Sequence, residues 1–207
     1  MISLFLNTSS NFLNVALVKD NVVLDEIYLK LDKDLSKETL VNIEKIISFN
    51  KLLPNDISEI VCVRGPGSFT GLRVGVTIAK TFAYFLNKDL YSVSNLFVMA
   101  TSVNSDVIVP IIDARRGFVY ACVYDKDYNI IMEEKYIKLE DLKSYVSSLS
   151  KDYVFVSNDS FDDLDVILYR PSISNLYKYM DKRLEDAVSF IPNYLKKTEA
   201  EEKLNND

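Results

Sequence analysis

The amino-acid sequence contains two halves in which the same order of predicted elements occurs. Each half opens with three strand-like segments, rich in apolar and β-branched residues and separated by short polar turns. A helical pattern, a short apolar strand and further helical patterns follow in both halves. A shift of 106 residues places Asn7 on Asp113 and Phe12 on Phe118, and a shift of 108 places Tyr28 on Tyr136. The repeat predicts two lobes related by duplication.

The duplicated unit has the order βββαβα, which is typical of the two-lobed actin-like (ASKHA, ribonuclease-H-like) α/β fold. We predict an N-terminal lobe at 1–104 and a shortened C-terminal lobe with a tail at 105–207. The predicted strands are 2–7, 12–18, 22–31, 59–65, 106–113, 117–125, 128–139 and 153–158. The predicted helices are 36–49, about 70–87, 139–149, about 161–169 and 172–187.

Composition excludes several classes of enzyme. The 207 residues contain no histidine, which excludes Ser–His–Asp and Cys–His nucleophiles, HExxH zinc sites and His₂-carboxylate iron sites. We expect no metal site. Cys62 and Cys122 lie inside apolar runs and are predicted to be core residues. Because there is no signal-peptide pattern and no apolar stretch of about 20 residues, we expect a cytoplasmic protein without a membrane segment.

The charge balance bears on nucleic-acid binding. There are 24 Lys and Arg residues against 30 Asp and Glu residues, which gives a net charge of −6. Phosphate contacts need clustered basic side chains, so an acidic chain is a poor ligand for nucleic acid by itself. Any nucleic-acid role is therefore expected to depend on a partner.

The chain has only five glycines, and four of them lie within eleven residues: Gly65, Gly67, Gly71 and Gly75. One explanation is a phosphate-binding loop between a strand and a helix N-terminus. The spacing fits neither a Walker A loop nor the GxGxxG pattern, which weakens that explanation. A second explanation is a structural turn, in which Ser68 or Thr70 caps the following helix.

The third explanation concerns the helix predicted at about 70–87. Gly71, Gly75, Ala79 and Ala83 recur every four residues and form a small-residue stripe on which a second helix could pack closely. Apolar residues also lie on more than one face, so this helix needs two packing partners. We expect one of them to be another subunit. On this hypothesis the substitution Gly75→Leu leaves the chain folded and abolishes partner binding.

The glycine segment resembles a known signature. Residues 64–75, RGPGSFTGLRVG, followed by Ala79-Lys80, resemble the GPGSFTGLRxG motif of the bacterial TsaB (YeaZ) family. Three shorter stretches resemble the same family: Leu6-Asn7-Thr8-Ser9, Ile112-Asp113-Ala114-Arg115-Arg116 with Val119-Tyr120, and Pro192-Asn193-Tyr194-Leu195-Lys196 with Ala200-Glu201. The resemblance covers nearly the whole chain.

The resemblance implies a non-catalytic subunit with an actin-like fold. In this family the subunit pairs with a metal-binding catalytic subunit, TsaD, and with an ATPase, TsaE. Together they transfer a threonylcarbamoyl group to the adenosine next to the anticodon of ANN-decoding tRNAs. The implied interface is formed by the helix after the glycine signature together with the preceding helix, at about 37–49. tRNA is bound only through the complex, and homodimers form when the subunit is alone. No cofactor is implied for the chain itself, although ATP or ADP is implied at the assembled interface.

The resemblance also implies site residues. The expected partner interface comprises Gly67, Phe69, Thr70, Gly71, Leu72, Val74, Gly75, Ile78, Ala79 and Phe82. The candidate turns near a nucleotide are Asn7, Thr8 and Ser9 in the first half and Asp113 and Arg115 in the second. The family usually has Asp where this chain has Asn7, which removes a charge that would organise a magnesium ion.

Two other functions remain open from the sequence. An actin-like small-molecule kinase needs carboxylates at both turns for magnesium, and Asn7 argues against it. A peptidase, a role once attached to relatives of this family, needs an activated nucleophile or a metal-ligand cluster. Neither is evident in a chain without histidine. Magnesium-dependent ATP turnover by the isolated chain would favour the kinase.

Overall fold

The computed structural model describes residues 1–31 and 34–195, and they form two β-sheets with helices packed on them. The strands are β1 (Ile2–Asn7), β2 (Phe12–Lys19), β3 (Val22–Lys30), β4 (Glu59–Gly65), β5 (Asp89–Ser94), β6 (Val107–Asp113), β7 (Phe118–Asp125), β8 (Ile130–Lys138), β9 (Tyr153–Val156), β10 (Val166–Ile167) and β11 (Arg183–Glu185). The helices are α1 (Leu35–Phe49), α2 (Phe69–Leu86), α3 (Asn95–Ala100), α4 (Leu139–Ser148) and α5 (Ile173–Tyr179). The tail motif residues Lys196, Ala200 and Glu201 lie outside the described residues.

The two sheets share one topology. The first has the order β11-β5-β4-β1-β2-β3, and the second has the order β10-β9-β6-β7-β8. In each sheet three antiparallel strands are followed by a strand parallel to the first of them, β4 beside β1 and β9 beside β6. This arrangement is the actin-like, ASKHA-type α/β fold and confirms the duplicated strand order.

A pair of stacked aromatic rings occurs at the same place in both lobes. Phe12 stacks on Tyr28 with ring centroids 5.0 Å apart. Phe118 stacks on Tyr136 with centroids 4.6 Å apart. Both pairs join the second and third strands of their lobe. The shifts of 106 and 108 residues found in the sequence convert one pair into the other, so the repeat extends to side-chain packing.

Helices cover the sheets and connect the lobes. Helices α1 and α2 pack on one face of the first sheet, and α3 and α5 pack on the other. Helix α4 covers the second sheet. Leu96 and Met99 of α3 also pack against Ile108 and Tyr124 of the second sheet, so α3 lies between the lobes. In the described part of the chain, no helix has both the length and the apolar character that crossing a membrane requires.

The end of the described chain corrects two predictions. A helix at 161–169 is wrong, because the short strand β10 lies there, and the helix expected over 172–187 is limited to α5. Moreover, α5 and β11 do not remain with the predicted second lobe, 105–207. Three apolar side chains of α5 pack on the first sheet, and β11 pairs with β5. The first sheet is therefore completed by residues from the end of the chain.

Candidate functional site

The glycine loop joins β4 to α2. The Ser68 hydroxyl accepts a hydrogen bond from the Gly71 N–H at 3.3 Å, so Ser68 caps the helix, as one of the two candidates predicted from the sequence. Gly65 has a φ of 135°, and a Cβ there would lie 2.7 Å from the Asn193 carbonyl oxygen. Glycine is thus required at Gly65 both by the backbone conformation and by close packing.

The other loop and stripe glycines face the β1–β2 turn of the same chain. A Cβ at Gly67 would lie 2.9 Å from the Ser9 Cβ. A Cβ at Gly71 would collide with the Thr8 carbonyl oxygen, and one at Gly75 would collide with the Thr8 hydroxyl. The Thr8 hydroxyl donates a hydrogen bond to the Gly71 carbonyl oxygen at 2.7 Å. The small-residue stripe therefore allows an internal turn to approach α2.

This packing bears on the expected partner interface. The predicted contact residues Gly71, Leu72, Gly75, Ile78 and Ala79 are buried within the chain itself, so they are not exposed to a partner in this structure. Spacing reveals a stripe of small residues on a helix, but not which neighbour packs on it. Because a Cβ at Gly75 would collide with the Thr8 hydroxyl, we expect Gly75→Leu to disturb the fold as well as any partner contact.

The remaining predicted interface residues lie closer to the surface. Phe69 and Thr70 are exposed at the N-terminus of α2, with Phe69 46% exposed. Gly67, Val74 and Phe82 are half-buried. Val74 and Phe82 pack against the core that α1 and α2 share with the first sheet. Only Phe69 and Thr70, of the ten predicted residues, are well exposed for contact with another molecule.

Helices α1 and α2, the two helices expected at the interface, lie side by side and carry exposed apolar side chains that were not among the predicted site residues. The set comprises Leu40, Val41 and Phe49 of α1 and Tyr84 and Phe85 of α2. Phe49 and Phe85 are 79% and 78% exposed. We call this set the α1–α2 surface. The sequence signal for this surface was the presence of apolar residues in both helices at positions outside the periodic pattern that faces the core.

The segment after β11 returns to the glycine loop. The Asn193 N–H donates a hydrogen bond to the Arg64 carbonyl oxygen at 2.9 Å. The Tyr194 ring lies 5.2 Å from the Phe69 ring, and its hydroxyl accepts a hydrogen bond from the Arg73 Nε at 3.2 Å. The Arg73 guanidinium lies 3.9 Å from the Phe69 ring centroid. Arg73 therefore has partners within the chain, at the exposed start of α2.

The two candidate nucleotide turns have the same local hydrogen bond. The Asn7 Oδ1 accepts from the Ser9 N–H at 2.9 Å, and the Asp113 Oδ1 accepts from the Arg115 N–H at 2.8 Å. Asn7, Thr8 and Ser9 are at most 5% exposed, because the glycine loop and α2 cover them. Asp113 and Arg115 are exposed. The structure therefore leaves only the second turn accessible to a ligand.

Neither a metal-ligand cluster nor a reactive thiol is found in the part of the chain that the structure describes. Over residues 1–31 and 34–195 there is no group of three or more Cys, Asp or Glu side chains placed to hold a metal ion. Cys62 and Cys122 are both buried and reduced, and burial raises the pKa of each thiol to about 12. Thiols with such pKa values are unreactive core groups, as predicted.

The sheets and the glycine loop together define an actin-like protein built from two related lobes. The family model described as TsaD, tRNA N6-adenosine threonylcarbamoyltransferase, matches residues 29–202. The chain belongs to the TsaB/YeaZ family. It is 29% identical to the tRNA threonylcarbamoyladenosine biosynthesis protein TsaB of Bacillus subtilis, over 98% of this chain and 97% of that protein. It is 30% identical to the TsaB protein of Escherichia coli, over 74% of this chain and 69% of that protein.

Solved structures agree on the fold. YeaZ from Pseudomonas aeruginosa superimposes with a TM-score of 0.75 and 20% identity, covering 94% of this chain and 99% of that one. A crystal structure described as an uncharacterised protein with similarity to peptidase YeaZ, from the same organism, gives a TM-score of 0.78 at the same identity and coverage. At this identity the likeness concerns architecture alone.

Proposed function

We propose that the chain is a non-catalytic partner subunit in tRNA threonylcarbamoyladenosine biosynthesis. It binds and activates a TsaD-type catalytic subunit, which transfers the threonylcarbamoyl group to the adenosine next to the anticodon of ANN-decoding tRNAs. The relatives named TsaB support the pathway. The observation that carries the subunit role is the α1–α2 surface, an exposed apolar area on two adjacent helices.

The chemistry of the chain supports a role without catalysis of its own. The sequence has no histidine to hold a metal or to activate a nucleophile. Asn7 supplies a neutral amide at the first turn, and both acceptor bonds of its oxygen go to Ser9. A phosphate-bound magnesium ion prefers a carboxylate there. Helix α2 packs directly against Thr8, and Asn7, Thr8 and Ser9 are at most 5% exposed, which disfavours access of a nucleotide phosphate to this turn.

The proposed partner has a fold related to this one, because the TsaD family model matches 29–202 of this chain. Two related folds can pair through equivalent helices around an approximate two-fold axis. Phe49, Tyr84 and Phe85 provide the aromatic anchors that dominate binding energy in protein interfaces. Two copies of this chain could bury the same surface, so we propose a homodimer when the catalytic subunit is absent.

Other partners are proposed through the complex alone. A chain with a net charge of −6 is unsuited to hold tRNA by itself, so tRNA is bound by the assembled subunits. A TsaE-type ATPase completes the assembly, and ATP or ADP binds at the assembled interface. Phe69, Thr70 and Tyr194, exposed beside the glycine loop, extend the surface available to these partners.

The test uses a substitution that leaves the core untouched. Phe85→Asp places a charge at a side chain that is 78% exposed. We expect affinity for the TsaD-type subunit to fall about 30-fold or more, as for an interface anchor, with the same loss of tRNA modification in the mixture. Light scattering measures the complex, and nucleoside analysis of tRNA measures the product.

Leu168→Asp is the matched control. Leu168 is 73% exposed and follows β10, the edge strand of the second sheet, whereas α1 and α2 pack on the first sheet. It should bind and activate as the unmodified chain does. Unchanged binding by Phe85→Asp would refute the proposed interface. Magnesium-dependent ATP turnover by the free chain, without complex formation, would refute the subunit role and favour a kinase.

A further inference from the structure

A cleft of about 600 Å³ lies where the two lobes meet, away from the α1–α2 surface. One side is formed by the ends of β4 and β5, with Arg64 and Ser92–Ser94. The other side is formed by the β7–β8 hairpin, with residues 127–130 and Glu134. The segment between α5 and β11 completes it. Its volume lies within the range of small-molecule sites.

Four aromatic rings form one continuous wall of this cleft. The Tyr128 ring lies 4.8 Å from the Tyr179 ring and 6.3 Å from the Phe97 ring, measured between centroids. The Phe97 ring lies 5.7 Å from the Tyr124 ring. These residues come from both lobes, so the wall exists only because the lobes pack together. Ring faces carry negative charge density and attract cations.

Some charged groups that line the cleft form ion pairs and others do not. Its two cations, Arg64 and Arg183, lie 2.7 Å and 3.6 Å from the same carboxylate, Glu185. Within the described residues, three acidic side chains that line the cleft form no ion pair: Asp127, Glu134 and Asp181. Glu185 neutralises only one of the two arginine charges, but the three further carboxylates leave these groups together with an excess of negative charge.

Glu134 is the most enclosed of these carboxylates. Burial, and to a lesser extent the neighbouring Glu133 carboxylate, raise the pKa of Glu134 above its ordinary value, although a hydrogen bond from the Ser94 hydroxyl acts in the opposite direction. The raised pKa reports a carboxylate that loses hydration without gaining a positive partner. A cation bound beside Glu134 would offset that loss.

We propose that this cleft binds a small aliphatic amine cation, such as a diamine or polyamine, with one ammonium group between the Glu134 carboxylate and the aromatic wall. A second ammonium group reaches Asp127 or Asp181 at the rim. The Lys178 ammonium already lies 4.7 Å from the Tyr179 ring centroid, so this ring has a cation of the chain beside it. Nucleotides are disfavoured, because the three carboxylates outnumber the one arginine charge that Glu185 leaves unneutralised.

Titration calorimetry on the isolated chain tests the proposal, with spermidine as the probe. Mg²⁺ at matched ionic strength is the control for charge alone, and AMP is the control for an anionic ligand with an aromatic ring. We expect spermidine to bind at one site and neither control to displace it. Equal displacement by Mg²⁺ would mean simple counter-ion attraction, and preference for AMP would mean a nucleotide site. Either result overturns the proposal.

Variants then locate the site. Glu134→Gln retains the shape and a hydrogen-bond acceptor for Ser94 but removes the charge, and we expect spermidine affinity to fall at least 10-fold. Glu133→Gln makes the same change at the exposed neighbouring residue and should alter affinity less than 2-fold. Thermal unfolding of both variants checks that they are folded. Equal affinities for the two variants would overturn the assignment to this cleft.

A second arm tests the aromatic wall and the source of the amine. Tyr179→Leu removes a ring at a side chain that is 41% exposed, so the fold should tolerate it, and affinity should fall at least 3-fold. A short lysine peptide presents the same ammonium group on a protein chain. Binding of that peptide, together with no binding of spermidine, would overturn the assignment to a free amine.

Discussion

The β1–β2 turn and the β6–β7 turn are two copies of one local structure in different surroundings. In both, the side chain at the end of the first strand accepts a hydrogen bond from the N–H two residues later. The first turn is buried beneath the glycine loop and α2, whereas the second is exposed. The duplicated backbone has thus kept its turn, while the groups that surround it have diverged.

The polar groups around the turns differ in the same way. The Asn7 amide faces the Asn95 amide, whose oxygen accepts from it at 3.4 Å. In the second lobe, the Asp159 carboxylate accepts a hydrogen bond from the Asp113 N–H at 2.8 Å, beside the Asp113 carboxylate. A buried turn requires neutral partners, because buried charges without counter-ions are costly. An exposed turn tolerates two carboxylates, since water screens them.

The largest difference in unfolding free energy is expected for two glycines: Gly71 of α2, which packs against the β1–β2 turn, and Gly117 of the β6–β7 turn. In Gly71→Ala the new Cβ meets the Thr8 carbonyl oxygen, which is backbone and cannot rotate away, so we expect a loss of about 3 kcal/mol in unfolding free energy. In Gly117→Ala no atom lies within 4 Å, and the positive φ of 76° costs about 1 kcal/mol. Urea unfolding measures both. Equal losses would mean that α2 does not hold the first turn.

A smaller difference is expected for the side chains that form the turns. Asn7→Ala leaves the buried Ser9 N–H and hydroxyl without their acceptor, which should cost about 2 kcal/mol. Asp113→Ala removes an acceptor at an exposed turn, where water replaces it, and should cost less than about 1 kcal/mol. Denaturation midpoints at one pH provide the comparison. A greater loss for Asp113→Ala would reverse our account of burial.

The smallest effect concerns the pH dependence of the second turn. Partial loss of hydration, and then the nearby Asp113 carboxylate, raise the pKa of Asp159 above its ordinary value of 3.8. Because the folded state binds this proton more tightly, the stabilisation is complete below pH 3.8 and is lost as pH rises through the raised pKa. Both carboxylates are exposed, so the change should stay below about 0.5 kcal/mol.

Asp159→Asn provides the measurement. The amide oxygen can still accept the Asp113 N–H bond, while the titrating group is gone. The variant should lose this part of the pH dependence between about pH 3.8 and neutrality, and should be slightly more stable than the unmodified chain at pH 7. Unfolding at several pH values tests this. A variant that is less stable at pH 7 would show that the carboxylate is favourably placed.

Local patterns predicted the repeating parts of the fold well. The strand predicted at 59–65 coincides with β4, and the paired aromatic residues found by the shifts occupy equivalent places. Alternation and composition act within a few residues, so one sequence carries that information. The duplication could be recognised because it repeats these local signals in the same order.

Long-range packing was not predictable in this way. The apolar face of α5 shows that it must be buried, but nothing within 173–179 indicates that the first sheet, rather than the second, covers it. The same limit applies to α2, where the small-residue stripe indicates close packing without naming the β1–β2 turn as the neighbour. The exposed side chains of the α1–α2 surface likewise follow from the arrangement of two helices.

The return of the chain end to the first sheet has a consequence for biosynthesis. A ribosome releases β1 to β5 long before β11, yet β11 covers the edge of β5, and α5 covers one face of that sheet. The nascent first lobe therefore emerges with an open strand edge and with the part of its apolar face that α5 covers still exposed. Both persist until nearly the whole chain has been synthesised, and during that interval the first lobe is exposed to aggregation and to chaperones.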